Sequence, residues 1–229
     1  MTQEHTYRPF DADIDRLRSA VTVMGGLVER QLVRAVDAVR LRDLDRVAQV
    51  RTDEAMVNQL HLETDLRCNQ VIAKRQPIAV DLREIVCVIH MINDLERIGD
   101  EAKKIAKKAR ELERTEQPPV PLDEIQAMAE LVLGMLRQAI DAFVRHDSTL
   151  ARSLVERDER VDAMRDDLLR RLMERMTQDS AAVSASLSMV FVVQSIERIG
   201  DHVKNIAEFV VNVVEGVDPR YSRSRQAEA

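Results

Sequence analysis

The sequence predicts an all-α protein of two tandem three-helix bundles, six long antiparallel helices in all, with the halves related by an approximate two-fold axis. Three observations predict it: a composition suited to helices, apolar residues spaced three and four apart over long stretches, and a motif that occurs twice. Of the 229 residues 45% are apolar, 32% charged and only 3% aromatic, with six glycines and six prolines. That balance packs long helices through Leu, Val, Ile, Met and Ala and is poor in strand formers.

The first helix follows the series Ile14, Leu17, Val21, Met24, Val28, Gln31, Ala35 and Val39, one buried stripe, with Asp11 or Asp13 placed to cap its start. A second stripe runs through Leu44, Val47, Val50, Val57, Leu60, Cys68 and Val71 and stops at Gln76-Pro77, where proline cannot continue a helix. The third runs from about Ile78 through Ile85, Ile89, Ile92, Ile98 and Ala106 to Leu112. Residues 1–116 thus form the first three-helix repeat, and the Pro-rich residues 117–121 a linker. The plan then recurs over 122–215, with helices from Leu122 to about His146, from about Ser148 to Met176, and from beyond Ser180 to about Glu215. The tail, 216–229, carries no stripe and is expected to be mobile. Short connections give up-down-up packing within each repeat, each with a seam of its own. With three helices per copy and a short linker, the third and sixth helices run antiparallel.

The repeat is written most clearly in Glu96-Arg97-Ile98-Gly99-Asp100-Glu101-Ala102-Lys103-Lys104-Ile105-Ala106 and Glu197-Arg198-Ile199-Gly200-Asp201-His202-Val203-Lys204-Asn205-Ile206-Ala207, identical at eight of eleven positions. Glu and Asp four apart lie about 40° apart around a helix, so both carboxylates can meet one cation. Glycine in a helix interior costs roughly 0.8 to 1 kcal/mol relative to alanine, and its presence twice points to a close approach by another helix or a ligand. The second helix of each copy offers a matching set: aligning Val57 with Val161 pairs Glu54 with Asp158 and Asn58 with Asp162. Glu54, Glu96 and His61 fall where core residues belong, and buried carboxylates need a counter-charge, from metal or from arginine. The candidate metal ligands are therefore Glu96, Asp100, Glu54 and Asn58 in the first copy and Glu197, Asp201, Asp158 and Asp162 in the second. Arg97 and Arg198 can pair with the same carboxylates, which leaves open a salt-bridge layer without metal; His61 reads as a hydrogen-bonded core histidine.

Lys103, Lys104, Lys107 and Lys108 follow the first motif as a basic stripe, either a solvated face or a docking patch for an acidic partner or a phosphate-bearing ligand. A formal net charge of −6 and so few aromatics argue against a nucleic-acid partner. No run approaches the roughly 18 to 20 apolar residues of a membrane span, and Met1 to Asp11 lacks a secretory core, so the cytosol is the expected location. Cys68 and Cys87 lie among apolar neighbours and read as buried thiols. No GxSxG elbow, Walker loop or HExxH occurs, and no Glu-x-x-His pair of the di-iron bundles falls in a helix core, so catalysis is not expected.

At the Met24 helix, Asn58, Arg75-Gln76-Pro77 with Asp81-Leu82-Arg83, and both copies of the motif, the chain resembles the PhoU family of accessory regulators of bacterial phosphate uptake. The resemblance spans nearly the whole length. It implies multinuclear clusters of iron or zinc, with manganese or magnesium as alternatives, held by the motif carboxylates. It also implies negative regulation of phosphate uptake and of the phosphate-starvation response, as a cytoplasmic, homodimeric adaptor between the ATPase of the phosphate ABC transporter and a sensor histidine kinase, reaching the membrane only through those partners. Gln178-Asp179-Ser180 replaces Gln-Pro in the second copy, and Ser195 stands where the first has Asp94, so the second ligand set is expected to differ. The alternative, from another class, is a metal-free helical interaction or chaperone-like protein held by arginine–carboxylate layers.

Overall fold

Six long helices make up most of the described residues, 8–113 and 121–217, of a computed structural model. They are α1 (Arg8–Leu41), α2 (Leu44–Arg75), α3 (Ala79–Glu113), α4 (Leu122–Arg145), α5 (Ser148–Gln178) and α6 (Val183–Glu215), with one 3-10 turn at Ser180–Ala182 before α6. Among the described residues no strand occurs. Linker residues 117–120 and the tail from 218 lie outside the described residues.

The first break of each repeat is built alike. Arg42 and His146 take left-handed backbone at φ 54, and the aspartate that follows each caps the next helix. Asp43 accepts from the amides of Asp45 and Arg46, and Asp147 from that of Leu150. The second break differs as the sequences do. Gln76 turns left-handed before Pro77, whereas Asp179 stays extended and accepts from the Ala181 amide to start the 3-10 turn. At the start of α1 the expected cap is corrected: the helix has already begun at Arg8, which places Asp11 in its first turn and Asp13 inside it. Asp13 instead accepts from Arg75 at 3.0 Å, tying α1 to the end of α2.

α1, α2 and α3 pack on one another, as do α4, α5 and α6, and the two triangles join along α3–α6 and α1–α4. The stripe residues Leu17, Val21, Met24, Val28, Gln31, Ala35 and Val39 are all buried. The expectation of a separate seam for each repeat needs correction, because one contiguous apolar core runs through both triangles. Its physical cause is that α3 and α6 bury apolar residues towards each other as well as towards their own repeats. The same packing corrects the membrane reading. Ser180–Glu215 is long and apolar enough to span a bilayer, with a mean hydropathy of 1.3 in its best window, but half of that window is buried in the bundle. A helix packed against three others is apolar on most of its surface.

α3 and α6 run antiparallel: the Ser188 hydroxyl donates to Glu111, His202 meets Asp94 and Phe209 stacks on His90. In the repeat, Lys108 is the equivalent of Phe209 and Phe191 that of His90. The Lys108–Phe191 contact is thus the His90–Phe209 contact seen a second time. An approximate two-fold axis therefore passes between the helices near Gly99 and Gly200, so the two motifs lie back to back.

Candidate functional site

Each motif glycine marks where the second helix of its repeat crosses the third. A Cβ on Gly99 would meet Gln31 Oε1 at 3.0 Å, Glu54 Oε2 at 3.3 Å and Val57 at 3.5 Å. On Gly200 it would meet Val161 at 3.3 Å, Asp158 at 3.6 Å and Val132 at 3.7 Å. Glu54 and Asp158, and Val57 and Val161, thus occupy equivalent places. Gln31 of α1 is matched by Val132 of α4.

The structure brings Glu54 and Asp100 together around an ammonium group. Lys103 Nζ donates to Glu54 Oε1 at 2.8 Å and to Asp100 Oδ1 at 3.1 Å. The buried Gln31 amide donates to the other Glu54 oxygen at 2.8 Å and to the Gly99 carbonyl at 3.0 Å. Burial by itself would raise the Asp100 carboxyl, but the Lys103 and Glu54 hydrogen bonds hold it below the ordinary aspartate range. Those bonds to Glu54 and Asp100 in turn raise Lys103. Glu96 is half-buried and its near cation is the exposed Arg97, at 3.6 Å. The side-chain oxygens of Asn58 and Gln31 are buried and without a hydrogen-bond partner among the described residues.

In the second copy Lys204 Nζ donates to the buried Asp158 at 2.6 Å. Arg165, from α5, pairs with Glu197 and with Asp162 at 3.2 Å. Asp201 has no such donor among the described residues. Burial, then the charges of Glu197 and Asp158, push its carboxyl up against the opposing pull of Lys204, and Asp162 adds to the rise. Four carboxylates therefore gather where the first copy has three and an amide.

Among the described residues no three Asp, Glu, His or Cys side chains converge in a group that could hold a metal ion as the side chains stand. Lys103, Lys204 and Arg165 are seated among the carboxylates instead. The donors themselves fit a hard cation: they are oxygens throughout, the orphaned Gln31 oxygen lies beside Gly99 at the first site, Asn58 one turn on from Glu54 has a buried oxygen of the same kind, and crowded charge calls for neutralisation at the second. Arg97 approaches Glu96, whereas Arg198 reaches Glu101 at 3.8 Å and not its own motif. His61 is half-buried, with Nε2 2.9 Å from Asn93 Oδ1.

Sequence reasoning missed four participants, Gln31, Lys103, Lys204 and Arg165. Gln31 carried a visible signal, a polar residue in an apolar stripe. Arg165, and Lys103 and Lys204 as partners of a buried carboxylate, carried none, because Glu197, Glu54 and Asp158 reach them from other helices. The basic stripe is corrected accordingly: Lys103 is engaged as above, Lys104 pairs with Glu101 at 2.7 Å, and Lys108 pairs with Glu111 at 2.8 Å over the Phe191 ring. Only Lys107 of the four lacks an ion-pair partner among the described residues. Cys68 and Cys87 are buried, and burial pushes Cys68 up to about 12 and Cys87 well above the usual thiol, so neither is a thiolate near neutral pH.

Comparison with known proteins covers both copies. The chain matches the PhoU domain over residues 21–109 and again over 125–210. It is 39% identical, over 95% of its length and 85% of the relative, to the phosphate-specific transport system accessory protein PhoU homolog of Pseudomonas putida. It is 36% identical to the Escherichia coli (strain K12) protein PhoU of the same description, over 95% of this chain and 90% of that one. The crystal structure of PhoU from Pseudomonas aeruginosa superposes with a TM-score of 0.88 at 39% identity, covering 91% of this chain and all of the other. A Streptococcus pneumoniae phosphate transport system regulatory protein shares the fold, with a TM-score of 0.84 at 24% identity, covering 91% of this chain and 98% of the other.

Proposed function

The chain belongs to the PhoU domain family, and from that premise we propose that it is a negative regulator of phosphate uptake and of the phosphate-starvation response. It acts by binding in the cytoplasm, as a homodimeric adaptor between the phosphate transporter's ATPase and a sensor histidine kinase. Support for the role comes from relatives named as accessory proteins of phosphate-specific transport and aligned over 95% of the chain.

The observation that carries the cation-binding part is the crowding of Glu197, Asp158 and Asp162 around Asp201, whose charges add to the lift that burial gives the Asp201 carboxyl. Glu197, Asp201, Asp158 and Asp162 would hold metal in the second copy, and Glu96, Asp100, Glu54 and Asn58 in the first. A bound cation would neutralise this charge and pin α2 to α3 and α5 to α6. With no nitrogen or sulfur donor in either set, iron, manganese or magnesium suits the sites better than zinc. The seated Lys103, Lys204 and Arg165 favour a second reading, in which the carboxylates serve only as ion-pair partners of a metal-free interaction protein.

Deleting the gene is expected to release the phosphate-starvation response. Restoration should follow from the intact chain and not from Glu96→Ala/Asp100→Ala/Glu197→Ala/Asp201→Ala, and the intact chain should retain the ATPase and the kinase in pull-downs. Restoration by the quadruple variant would discard the metal reading, and normal repression in the deleted strain would discard the regulatory one.

A further inference from the structure

Beside the first motif, between α2 and α3, lies a cavity of about 400 Å³ walled by five cationic side chains, Arg51, Lys103, Lys104, Lys107 and Arg110, over a floor of buried valine and alanine. Among the described residues no acidic side chain lines it. Two of the five are already compensated, Lys103 by Glu54 and Asp100 and Lys104 by Glu101. Arg51, Lys107 and Arg110 are exposed, and none has an ion-pair or hydrogen-bond partner among the described residues. Glu111 is near enough to feel the charge of Lys107, but it is bonded to Lys108 and Ser188. Like charges gathered on a concave surface raise the local potential and attract an anion.

The fold does not require this charge. On the register set by the two motifs and by Val57 and Val161, Arg51 corresponds to Val155, Lys107 to Glu208 and Arg110 to Val211. In the second copy Val211 is fully buried and Val155 packs on the core, so the same place is filled with apolar side chains. One repeat therefore places two valines and a glutamate at these positions, while the other lines its groove with cations.

We propose that this groove binds a chain of two or three phosphates, either free or at the end of a nucleotide. The proposal does not depend on whether the carboxylate sites hold metal. A single phosphate carries about −1.5 to −2 and would leave part of the charge uncompensated, whereas a longer chain, at about −3 to −4, matches three free cations. Two guanidinium groups can each present paired N–H donors to phosphate oxygens. The volume suits a small molecule, for which sites run from roughly 300 to 1,000 Å³. Lys107 and Arg110 are one helical turn apart and face Arg51 across the groove. That is a compact cluster, unlike the long stripe an extended acidic peptide would follow.

Titration calorimetry of the full chain at low salt, free of divalent metal, tests this with tripolyphosphate, ATP and inorganic phosphate as probes. Tripolyphosphate and ATP are expected to bind once per chain with similar affinity, and inorganic phosphate about tenfold or more weaker. Arg51→Ala/Lys107→Ala/Arg110→Ala should weaken tripolyphosphate about 100-fold, since each lost bond involves charged groups on both sides. Arg51→Val/Lys107→Glu/Arg110→Val carries the second copy's residues and should do the same, which keeps the test open if the alanine variant folds poorly by circular dichroism. Arg67→Ala/Lys74→Ala/Arg160→Ala changes net charge equally at other places and should leave binding intact. The proposal is overturned by no binding to the wild type, by equal losses in the groove and control variants, or by unchanged affinity in the groove variants. It is equally overturned by ATP binding without tripolyphosphate, by inorganic phosphate binding as tightly as the chain, or by a glutamate-rich peptide binding where tripolyphosphate does not.

Discussion

The two copies of the motif share eight of eleven residues, yet their neighbours close them with different chemistry. In the first, a buried amide from α1 and an ammonium from α3 hold Glu54, and Asp100 is stabilised as an anion. In the second, Val132 replaces the amide, a fourth carboxylate joins, and Asp201 is destabilised as an anion. A duplicated signature therefore fixes which faces of the helices carry carboxylates, while the surrounding helices decide how far their charge is balanced.

Glycine replacement should separate the copies most strongly. A methyl group on Gly99 would press on two oxygens held in a buried network, so Gly99→Ala is expected to cost about 1 to 3 kcal/mol. Gly200→Ala meets mainly a valine methyl at 3.3 Å and gains roughly 0.8 to 1 kcal/mol of helix propensity, so its net effect should stay within about 1 kcal/mol of zero. Denaturant unfolding of both variants measures the difference, and equal costs would remove the distinction.

Neutralising the aspartates should give opposite signs in metal-free protein. The Asp100 carboxyl lies below its unfolded value, so its contribution is present above the ordinary aspartate range and is lost as pH falls through the lowered value. Asp201 lies above its unfolded value, so its penalty is absent at low pH, grows as pH rises from the ordinary value to the raised one, and is full beyond it. Near neutral pH, Asp100→Asn should lower Tm and Asp201→Asn should raise it, and both differences should fade in acid. Thermal melts across pH that show the same sign for both would break the comparison.

Much of this was legible in residues. The stripe from Ile14 to Val39 named the buried face of α1, Gln76-Pro77 placed the end of α2, and Val57 aligned with Val161 put Glu54 opposite Asp158. What escaped was set by tertiary packing. Lys103 and Arg165 are long side chains that find partners across a helix boundary, which periodicity within one helix does not encode. The continuous core escaped for the same reason, since a stripe shows which face is buried and not against what. Asp11 and Asp13 looked like caps because acidic residues favour a first turn as well as the position before it.

A smaller contrast lies where the two-fold axis pairs unlike residues. Lys108 sits 4.5 Å from the Phe191 ring centroid, where its symmetry mate is the stacked pair His90–Phe209. A cation–π contact at a partly open site is worth about 0.5 to 1 kcal/mol and a surface ion pair about 0 to 1 kcal/mol. Lys108→Ala removes both this contact and the pair with Glu111 and should therefore lower stability by about 0.5 to 2 kcal/mol by chemical denaturation, and a loss well beyond that would mean that the lysine supports more than these two contacts.

The account rests on the two motifs being cation sites, and elemental analysis of protein purified without chelator or nickel resin tests it most directly. Bound metal is expected in the wild type, falling by about half in Glu96→Ala/Asp100→Ala and by a similar share in Glu197→Ala/Asp201→Ala, as independent sites should contribute. Metal content unchanged by both pairs of substitutions, or absent from the wild type, would contradict it and leave Lys103, Lys204, Arg165 and Arg97 as the counter-charges that the described residues offer these carboxylates.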